Sequence, residues 1–209
     1  MDSIPLLDDV EEDIIFTNAY FNSETLRPAV YWQLNGRNGL LSLTEARARA
    51  QTLFQAVGYA EGEAAIVLGL TRLHKAADQS SKGFGAAAKA KAAAAERQTQ
   101  EMMGMLLHVV RQGRSPLLEG VEVIFGFETQ QARINVSWYE DGEPDQWSTI
   151  QALDHAILLI QTAEASESDA FFRNYLIEAI GIEPDRTAIL IEEFQLFRHR
   201  RQLDDLFFE

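Results

Sequence analysis

Four histidines are the residues best suited to acid–base or metal chemistry, and their spacing does not combine them. His74, His108, His155 and His199 are never three or four residues apart, so the spacing that puts two zinc ligands on one helix face is absent. His155 borders an apolar helical stripe and is predicted at the surface or boundary of that helix. The chain has no cysteine, which excludes disulfides, thiolate zinc sites and cysteine nucleophiles. We therefore predict no catalytic, cofactor-binding or metal-binding residue.

Two loops carry residue types that bind ions, but neither has an established binding pattern. The acidic loop 140–145 lacks the alternating carboxylates and distal Glu of a calcium loop. The loop 80–85 places one lysine and two glycines before a helix, where a phosphate can bind. No strand precedes that loop, however, and the Walker and dinucleotide spacings are absent. Both segments are predicted to be solvated loops.

The distribution of charge limits the choice of partners. The formal net charge is −14, which repels nucleic-acid phosphates and anionic membranes. Residues 79–115 differ from the rest, with six basic residues against two acidic ones, and suggest an alternative function as a nucleic-acid-associated regulator. The sequence shows no signal-peptide pattern, and no apolar run approaches the ~18 residues of a membrane span. We expect a cytoplasmic protein that contacts no membrane, and the acidic, Ala-rich composition suggests a bacterial source.

The C-terminal residues are the candidate partner-binding element. Two acidic residues precede an apolar run, as in a short docking peptide with charge steering and an apolar anchor. The residues are Asp204, Asp205, Leu206, Phe207 and Phe208. The alternative is that Leu206 and Phe207 fold back and complete the core. Residues 1–13, with six acidic residues and no basic one, are predicted to form a second acidic tail.

Each half of the chain shows strand alternation followed by helical periodicity. In the first half a hairpin over 14–34 precedes a capping box at Ser42 and Glu45, and three helices follow. Gly58 is a plausible end of the first helix. In the second half a hairpin over 121–139 precedes a similar capping box at Ser148. Three helices follow there too, the second starting at 166–169 and the third near 184.

The periodicity also predicts which residues lie in the core. The Val-x-Trp alternation indicates that Trp32 and Trp138 anchor their strands in the core. The helical residues predicted to face inward are Leu43, Ala46, Ala50, Leu53, Phe54, Val57, Ile66, Leu70, Leu73, Met102, Met105, Leu106, Val109, Ile150, Leu153, Ile157, Ile160, Phe172, Leu176, Ile180, Ile191, Phe194 and Phe197.

The two halves are related by an offset of 106 residues. Over residues 27–70 and 133–176, 12 of 44 positions are identical, whereas composition alone gives about three. We therefore predict an internally duplicated α+β protein with a ββααα unit repeated twice. A lone hairpin is marginal in water, so we expect the two hairpins to join in one antiparallel sheet covered by helices, with pseudo-two-fold symmetry. The alternative is two separate ββααα units.

The predicted repeat units are 14–114, which includes the Ala-rich helix, and 115–203, packed together as one domain between the acidic tails 1–13 and 204–209. Because no catalytic constellation is present, we predict a non-enzymatic protein-interaction or adaptor protein that binds another protein, as a monomer or homodimer. Besides the nucleic-acid alternative, an enzyme or small-ligand binder with a cleft between the halves remains open.

Overall fold

The computed structural model describes residues 15–22, 27–34, 37–79, 86–126, 129, 131–138 and 144–207. The protein is α+β, and three strands followed by two helices occur twice along the chain. The elements of the first half are β1 (Ile15–Asn22), β2 (Arg27–Leu34), β3 (Arg37–Ser42), α1 (Leu43–Gln79) and α2 (Ala86–Gln112). Those of the second half are β4 (Val121–Gly126), β5 (Gln131–Val136), β6 (Asp145–Trp147), α3 (Thr149–Glu178) and α4 (Pro184–Phe207).

The six strands form two separate sheets. Each is three-stranded and antiparallel, with the orders β1-β2-β3 and β4-β5-β6. In the first, Val30 lies opposite Ala19 on one side and Leu41 on the other. In the second, Ile134 lies opposite Val123 and Trp147. The prediction of one joined sheet was wrong, because a third strand completes each hairpin and removes the need to pair the hairpins with each other.

Two strands were missed from the sequence. The predicted hairpin ends at residue 34, and asparagine and glycine in the next residues are turn formers, yet β3 begins at Arg37. Gly39 lies opposite Trp32, and a Cβ at this position would be 3.0 Å from the Trp32 ring. Glycine is therefore needed to accommodate the tryptophan and is not the sign of a turn. Strand β6 has only three residues after an acidic loop, too few to show alternation.

The prediction of three helices in each half was also wrong, since the described residues form two helices in each half. Helix α1 runs for 37 residues through Gly58, where the neighbouring Ala56, Val57 and Ala60 are all buried. Burial of that face outweighs the cost of about 1 kcal/mol for a glycine within a helix. Helix α3 likewise continues through 166–169, because Ser166 and Asp169 make tertiary hydrogen bonds instead of capping a new helix.

Both predicted capping boxes are confirmed. The Glu45 N–H donates to Ser42 Oγ at 3.2 Å, and the Ser42 N–H donates to Glu45 Oε2 at 2.8 Å. The Gln151 N–H donates to Ser148 Oγ at 3.1 Å, and the Ser148 N–H donates to Gln151 Oε1 at 2.9 Å. These reciprocal bonds satisfy backbone donors that a helix start leaves open, and they fix where α1 and α3 begin.

The chain divides into two compact units. Unit 1 comprises residues 1–47 and 158–209, which include the β1-β2-β3 sheet, the C-terminal part of α3, and α4. Unit 2 comprises residues 48–157, which include most of α1, all of α2, the β4-β5-β6 sheet and the start of α3. The predicted repeat units 14–114 and 115–203 follow sequence similarity, not compactness, and they stay a prediction.

Each unit buries apolar residues of its sheet and helices. In unit 2, Val67 of α1, Met103 and Leu107 of α2 and Phe125 of β4 form one cluster. In unit 1, Val30 and Leu34 of β2 are buried, as are small residues on α3 such as Ala163. Among the described residues, no helix is both long and apolar enough to cross a membrane.

Candidate interaction surfaces

The predicted C-terminal docking element, Asp204, Asp205, Leu206, Phe207 and Phe208, lies largely outside the described residues. Helix α4 extends to Phe207, but the structure describes no side chain from 201 onward, and Phe208 is not described at all. Its role therefore stays a prediction.

The basic segment 79–115 is described only in part. Lys82 and the side chains of Lys89 and Lys91 lie outside the description. Of the described basic residues, Arg111 and Arg114 form ion pairs with Glu63, which partly neutralises them. The nucleic-acid alternative likewise stays a prediction.

Unit 1 exposes a group of aromatic side chains on α3 and α4, which we call the aromatic face. Its members are Phe171, Phe172, Tyr175, Phe194 and Phe197, all partly or largely exposed. Phe171 is 75% exposed and Phe197 60%. The rings of Phe172 and Phe194 lie 5.6 Å apart, so the two helices contribute to one continuous surface.

Helix α3 presents these residues because its opposite side is attached to the sheet of unit 1. The Ser166 hydroxyl lies 3.0 Å from the carbonyl oxygen of Tyr20 and 2.8 Å from that of Ala29. Residues five and nine positions further along a helix fall on the far side from Ser166. These positions are Phe171 and Tyr175, which the attachment therefore directs to solvent.

Helix α4 is held against α3 by a buried carboxylate. Arg198 donates to both oxygens of Asp169, at 2.9 and 3.0 Å, and the Gln195 amide donates at 2.7 Å. Gly181 lies in the turn between the helices with φ of 77°, a conformation that favours glycine. This bidentate contact fixes the side of α4 that faces α3. It thereby also sets the position of Phe194, which lies one helical turn before Arg198. Asp169 belongs to the segment 166–169 that was predicted to start a helix, and its contact with Arg198 was not predicted.

The electrostatic environment of the aromatic face is acidic. Residues 164–200 contain eight carboxylates and four arginines, of which Arg198 is paired with Asp169. Arg47, also in unit 1, donates to Glu164 at 2.8 Å and to Glu167, so one of these two negative charges is compensated. Glu178, Glu192 and Glu193 are exposed. The aromatic face is therefore bordered by negative charge.

Unit 2 exposes a second apolar strip, on α2. Met102, Met105, Leu106 and Val109 were predicted in the core but are exposed, whereas Met103 and Leu107 are buried. Helix α2 is apolar on two adjacent sides, so periodicity alone did not distinguish the inward one. A similar error concerns residues that were all predicted inward and are all exposed, namely Phe54, Leu73, Ile150, Ile157, Phe172, Ile180, Phe194 and Phe197.

A buried carboxylate links α1 to the end of α2 in unit 2. The Glu63 side chain is fully buried and accepts hydrogen bonds from Arg111 at 2.7 and 2.8 Å and from Arg114 at 2.6 Å. Burial raises the pKa of Glu63, but the hydrogen bonds and charges of the two arginines outweigh burial, so its pKa lies below the ordinary value. This cluster holds the C-terminal end of α2 against α1.

His155 was predicted at the surface or boundary of its helix, but it is buried in unit 2. Its ring lies 5.0 Å from that of Trp147 and 6.3 Å from that of Trp138, and Nδ1 has no hydrogen-bond partner within the described structure. Burial, with a smaller contribution from the positive charge of Arg49, lowers the pKa of His155 from 6.5 to about 4. An unprotonated imidazole between two indoles is a core residue, and it is not available as a general acid at neutral pH.

The tryptophans differ from the prediction as well. Trp147 is fully buried, whereas Trp32 and Trp138 are half-buried. The guanidinium of Arg49 lies 4.7 Å from the Trp138 ring centroid, an arrangement that uses the exposed ring face. The burial of Trp147 could have been predicted from its position directly before the capping residue Ser148, because an apolar residue there often packs against the helix.

Neither chemistry nor similarity points to an enzyme class. Within the ranges that the structure describes, no three histidine or carboxylate side chains are grouped closely enough to hold a metal ion. No protein-family model, curated protein or solved structure matches this chain.

Proposed function

We propose that this protein is a protein-interaction or adaptor protein that acts by binding another protein and not by catalysis. The aromatic face of unit 1 is the observation that supports the proposal. Five aromatic side chains from two helices are exposed together there, although monomeric proteins rarely expose large contiguous apolar patches. Aromatic residues are also the ones that most often dominate binding energy at protein interfaces.

The chemistry of the surface suggests the kind of partner. The apolar centre would take an apolar helix face, and the acidic border would take lysine or arginine at its margins. A basic amphipathic helix of another protein combines these two features. The net charge of −14 would increase its rate of association.

Substitution of the exposed aromatics tests the proposal. Phe171→Ser combined with Tyr175→Ser removes two side chains that are 75% and 49% exposed, so the fold is expected to be unaffected. Quantitative affinity purification should show a partner whose recovery falls at least about tenfold in this variant. The matched control is Ile150→Ser, which changes a residue that is 69% exposed in unit 2. Equal recovery of every protein with both variants would argue against the aromatic face.

We further propose that the chain arose by internal duplication, with βββαα and not ββααα as the repeated unit. In support, α1 and α3 begin at Leu43 and Thr149, which are related by the offset of 106 residues. Each follows a capping serine. Matched positions have matched burial, since Val30 and Val136 are both 0% exposed. Superposition of residues 27–70 on 133–176 in an experimental structure tests this, and different secondary structure in the two segments would contradict it.

Since the chain has no cysteine, a reducing compartment is compatible with its composition, and we propose the cytoplasm as its location. Imaging of the tagged full-length chain tests this, and an extracellular signal would contradict it.

A further inference from the structure

Each compact unit combines the sheet of one half of the chain with helices of the other half. Unit 1 contains the β1-β2-β3 sheet of the first half together with α4 and the greater part of α3 from the second. Unit 2 contains the β4-β5-β6 sheet of the second half together with α2 and most of α1 from the first. The two halves have therefore exchanged helices, as protomers do in a domain-swapped dimer.

In unit 1, side-chain contacts join α3 of the second half to the strands of the first. Thr17 of β1 and Thr162 of α3 are hydrogen-bonded, with 2.7 Å between their hydroxyl oxygens. The Ser166 hydroxyl of α3 is bonded to the backbone of β1 and of β2. The guanidinium of Arg173 lies 4.5 Å from the ring centroid of Phe21 in β1. Unit 1 is therefore complete only when both halves are present.

In unit 2, α1 and α2 of the first half pack against the sheet of the second. Phe125 of β4 lies in one buried cluster with Val67 of α1 and Leu107 of α2. The guanidinium of Arg49, also on α1, lies 4.7 Å from the ring centroid of Trp138, two residues after β5. Unit 2 therefore also needs both halves.

The two helices within each half are held together by a buried carboxylate. Glu63 of α1 and Asp169 of α3 are related by the offset of 106 residues, and both are buried. Each accepts hydrogen bonds from two side chains that lie three positions apart on the following helix. These side chains are Arg111 and Arg114 for Glu63, and Gln195 and Arg198 for Asp169. Each helix pair is thus bonded within its own half, and it packs on the sheet of the other half.

Residues 113–120, which we call the link, are the only covalent connection between the halves. The N-terminal end of the link is bonded to α1, through the Arg114 side chain and the Ser115 carbonyl. Its C-terminal end is bonded to the second half, where the Gly120 carbonyl accepts from the residue after β5. Residues 116–119 between these ends make one hydrogen bond in the described structure, to the first residue of β4. Extension of 116–119 would therefore break one hydrogen bond and leave those of each half in place.

We propose that two copies of this chain exchange halves, so that the first half of each copy forms both units with the second half of the other. The partner is a second copy, because the surfaces that join the halves are those of this chain itself. Every contact within the units is kept in such a dimer, and only the link changes conformation. The dimer carries two aromatic faces and would bind two partners at once, a consequence that rests on the proposed function, whereas the exchange does not.

Disulfide capture tests the exchange, since the chain has no cysteine of its own. A full-length Thr17→Cys chain and a Thr162→Cys chain with a tag of different mass are unfolded in urea, mixed and refolded together. The protein concentration is about 1 mM, comparable with the effective concentration that a short link gives the closed monomer. In a closed monomer these two cysteines lie in different molecules. In an exchanged dimer they meet at the hydrogen-bonded position of the two threonines, where a disulfide can form on oxidation.

The matched control pairs Thr17→Cys with Ile150→Cys, which places the second cysteine at a residue of unit 2 that is 69% exposed. Random collision forms disulfides with this exposed cysteine at least as readily. The mixed disulfide dimer from the threonine pair should exceed that of the control at least about tenfold, measured by mass spectrometry without reductant.

The length of the link should set the balance between monomer and dimer. Deletion of residues 116–119 joins Ser115 directly to Gly120 and should prevent the link from turning back within one copy. This chain is expected to be a folded dimer by sedimentation even at about 10 µM, far below the effective concentration of the intact link. Insertion of about ten glycine and serine residues after Pro116 relaxes the link and should keep the chain monomeric at that concentration.

Equal yields of mixed disulfide from the threonine pair and the control pair would overturn the proposal. A folded monomer with the shortened link would also overturn it. Should the shortened chain fail to fold, the disulfide capture decides alone, because it leaves the link unchanged. The Phe171→Ser/Tyr175→Ser variant should exchange like the unsubstituted chain, so this proposal and the proposed function fail separately.

Discussion

A decrease in pH from about 7.5 to about 5 is expected to destabilise unit 2 through His155. The imidazole is 4% exposed, and its pKa of about 4 in the folded protein is well below the ordinary 6.5. Between pH 6.5 and about pH 4, His155 binds a proton in the unfolded chain but not in the folded protein. The free energy of unfolding therefore falls as the pH decreases through this range.

The size of the effect follows from the difference in pKa. The difference of about 2.5 units between 6.5 and about 4 corresponds to about 3 kcal/mol once the pH is below both values. At pH 5 about 2 kcal/mol of this is already lost. The pKa of Glu63 is lowered in the folded protein, so Glu63 changes the free energy of unfolding mainly below about pH 4.5. This range does not overlap with that of His155. Of these two groups, only His155 changes the free energy of unfolding substantially between pH 5 and pH 7.

The assay compares urea unfolding of the unsubstituted chain with that of His155→Phe, followed by tryptophan fluorescence. Trp138 and Trp147 both contact His155 and report on its surroundings. Phenylalanine keeps an aromatic ring and cannot be protonated, so the variant should lose about 2 kcal/mol less on going from pH 7.5 to pH 5. His108→Gln is the matched control, because His108 is exposed. It should keep the pH dependence of the unsubstituted chain.

NMR titration of the His155 ring protons measures the pKa directly. A midpoint near 6.5, or the same loss of stability with pH in His155→Phe as in the unsubstituted chain, would refute the assignment. Either result would mean that the imidazole reaches water or a proton acceptor in solution.

Three further substitutions test contacts in unit 2 by thermal and urea unfolding. Glu63→Gln should cost about 3 kcal/mol by leaving two arginines without their buried carboxylate, whereas the exposed Glu61→Gln should change stability by less than about 0.5 kcal/mol. Gly120→Ala should destabilise by about 1–3 kcal/mol, because φ is 84° and a Cβ would lie 2.7 Å from the Ser137 carbonyl oxygen. Gly58→Ala has open space and should stabilise by about 0.5–1 kcal/mol, and the same sign for both glycines would contradict this account. Ser148→Ala should cost about 1 kcal/mol by removing the cap of α3, and no change would mean that water replaces it.

The sequence predicted those elements whose signals are local. Capping boxes at Ser42 and Ser148 depend on residues three apart, and both formed with the expected hydrogen bonds. Pro184 begins α4, as predicted from the helix start near 184. Local signals failed where a distant contact competed for the same residue. Ser166 and Asp169 have the pattern of a helix start, but β1, β2 and α4 take up their side chains.

The surfaces proposed for binding were not visible in the sequence. The residues of the aromatic face were read largely as core, because an exposed apolar stripe and a buried one have the same period. The α2 strip was misread for the same reason.

The sequence by itself determined that this is an α+β protein in which two helices follow equivalent capping serines, because caps and alternation act between neighbouring residues. Only the tertiary structure decided that the strands form two sheets, that His155 lies buried against Trp147, and that the aromatic side chains of α3 and α4 face solvent. The reason is physical. Burial and hydrogen-bond satisfaction depend on which elements meet, and that depends on contacts such as Ser166 with Ala29, which join residues far apart in the chain.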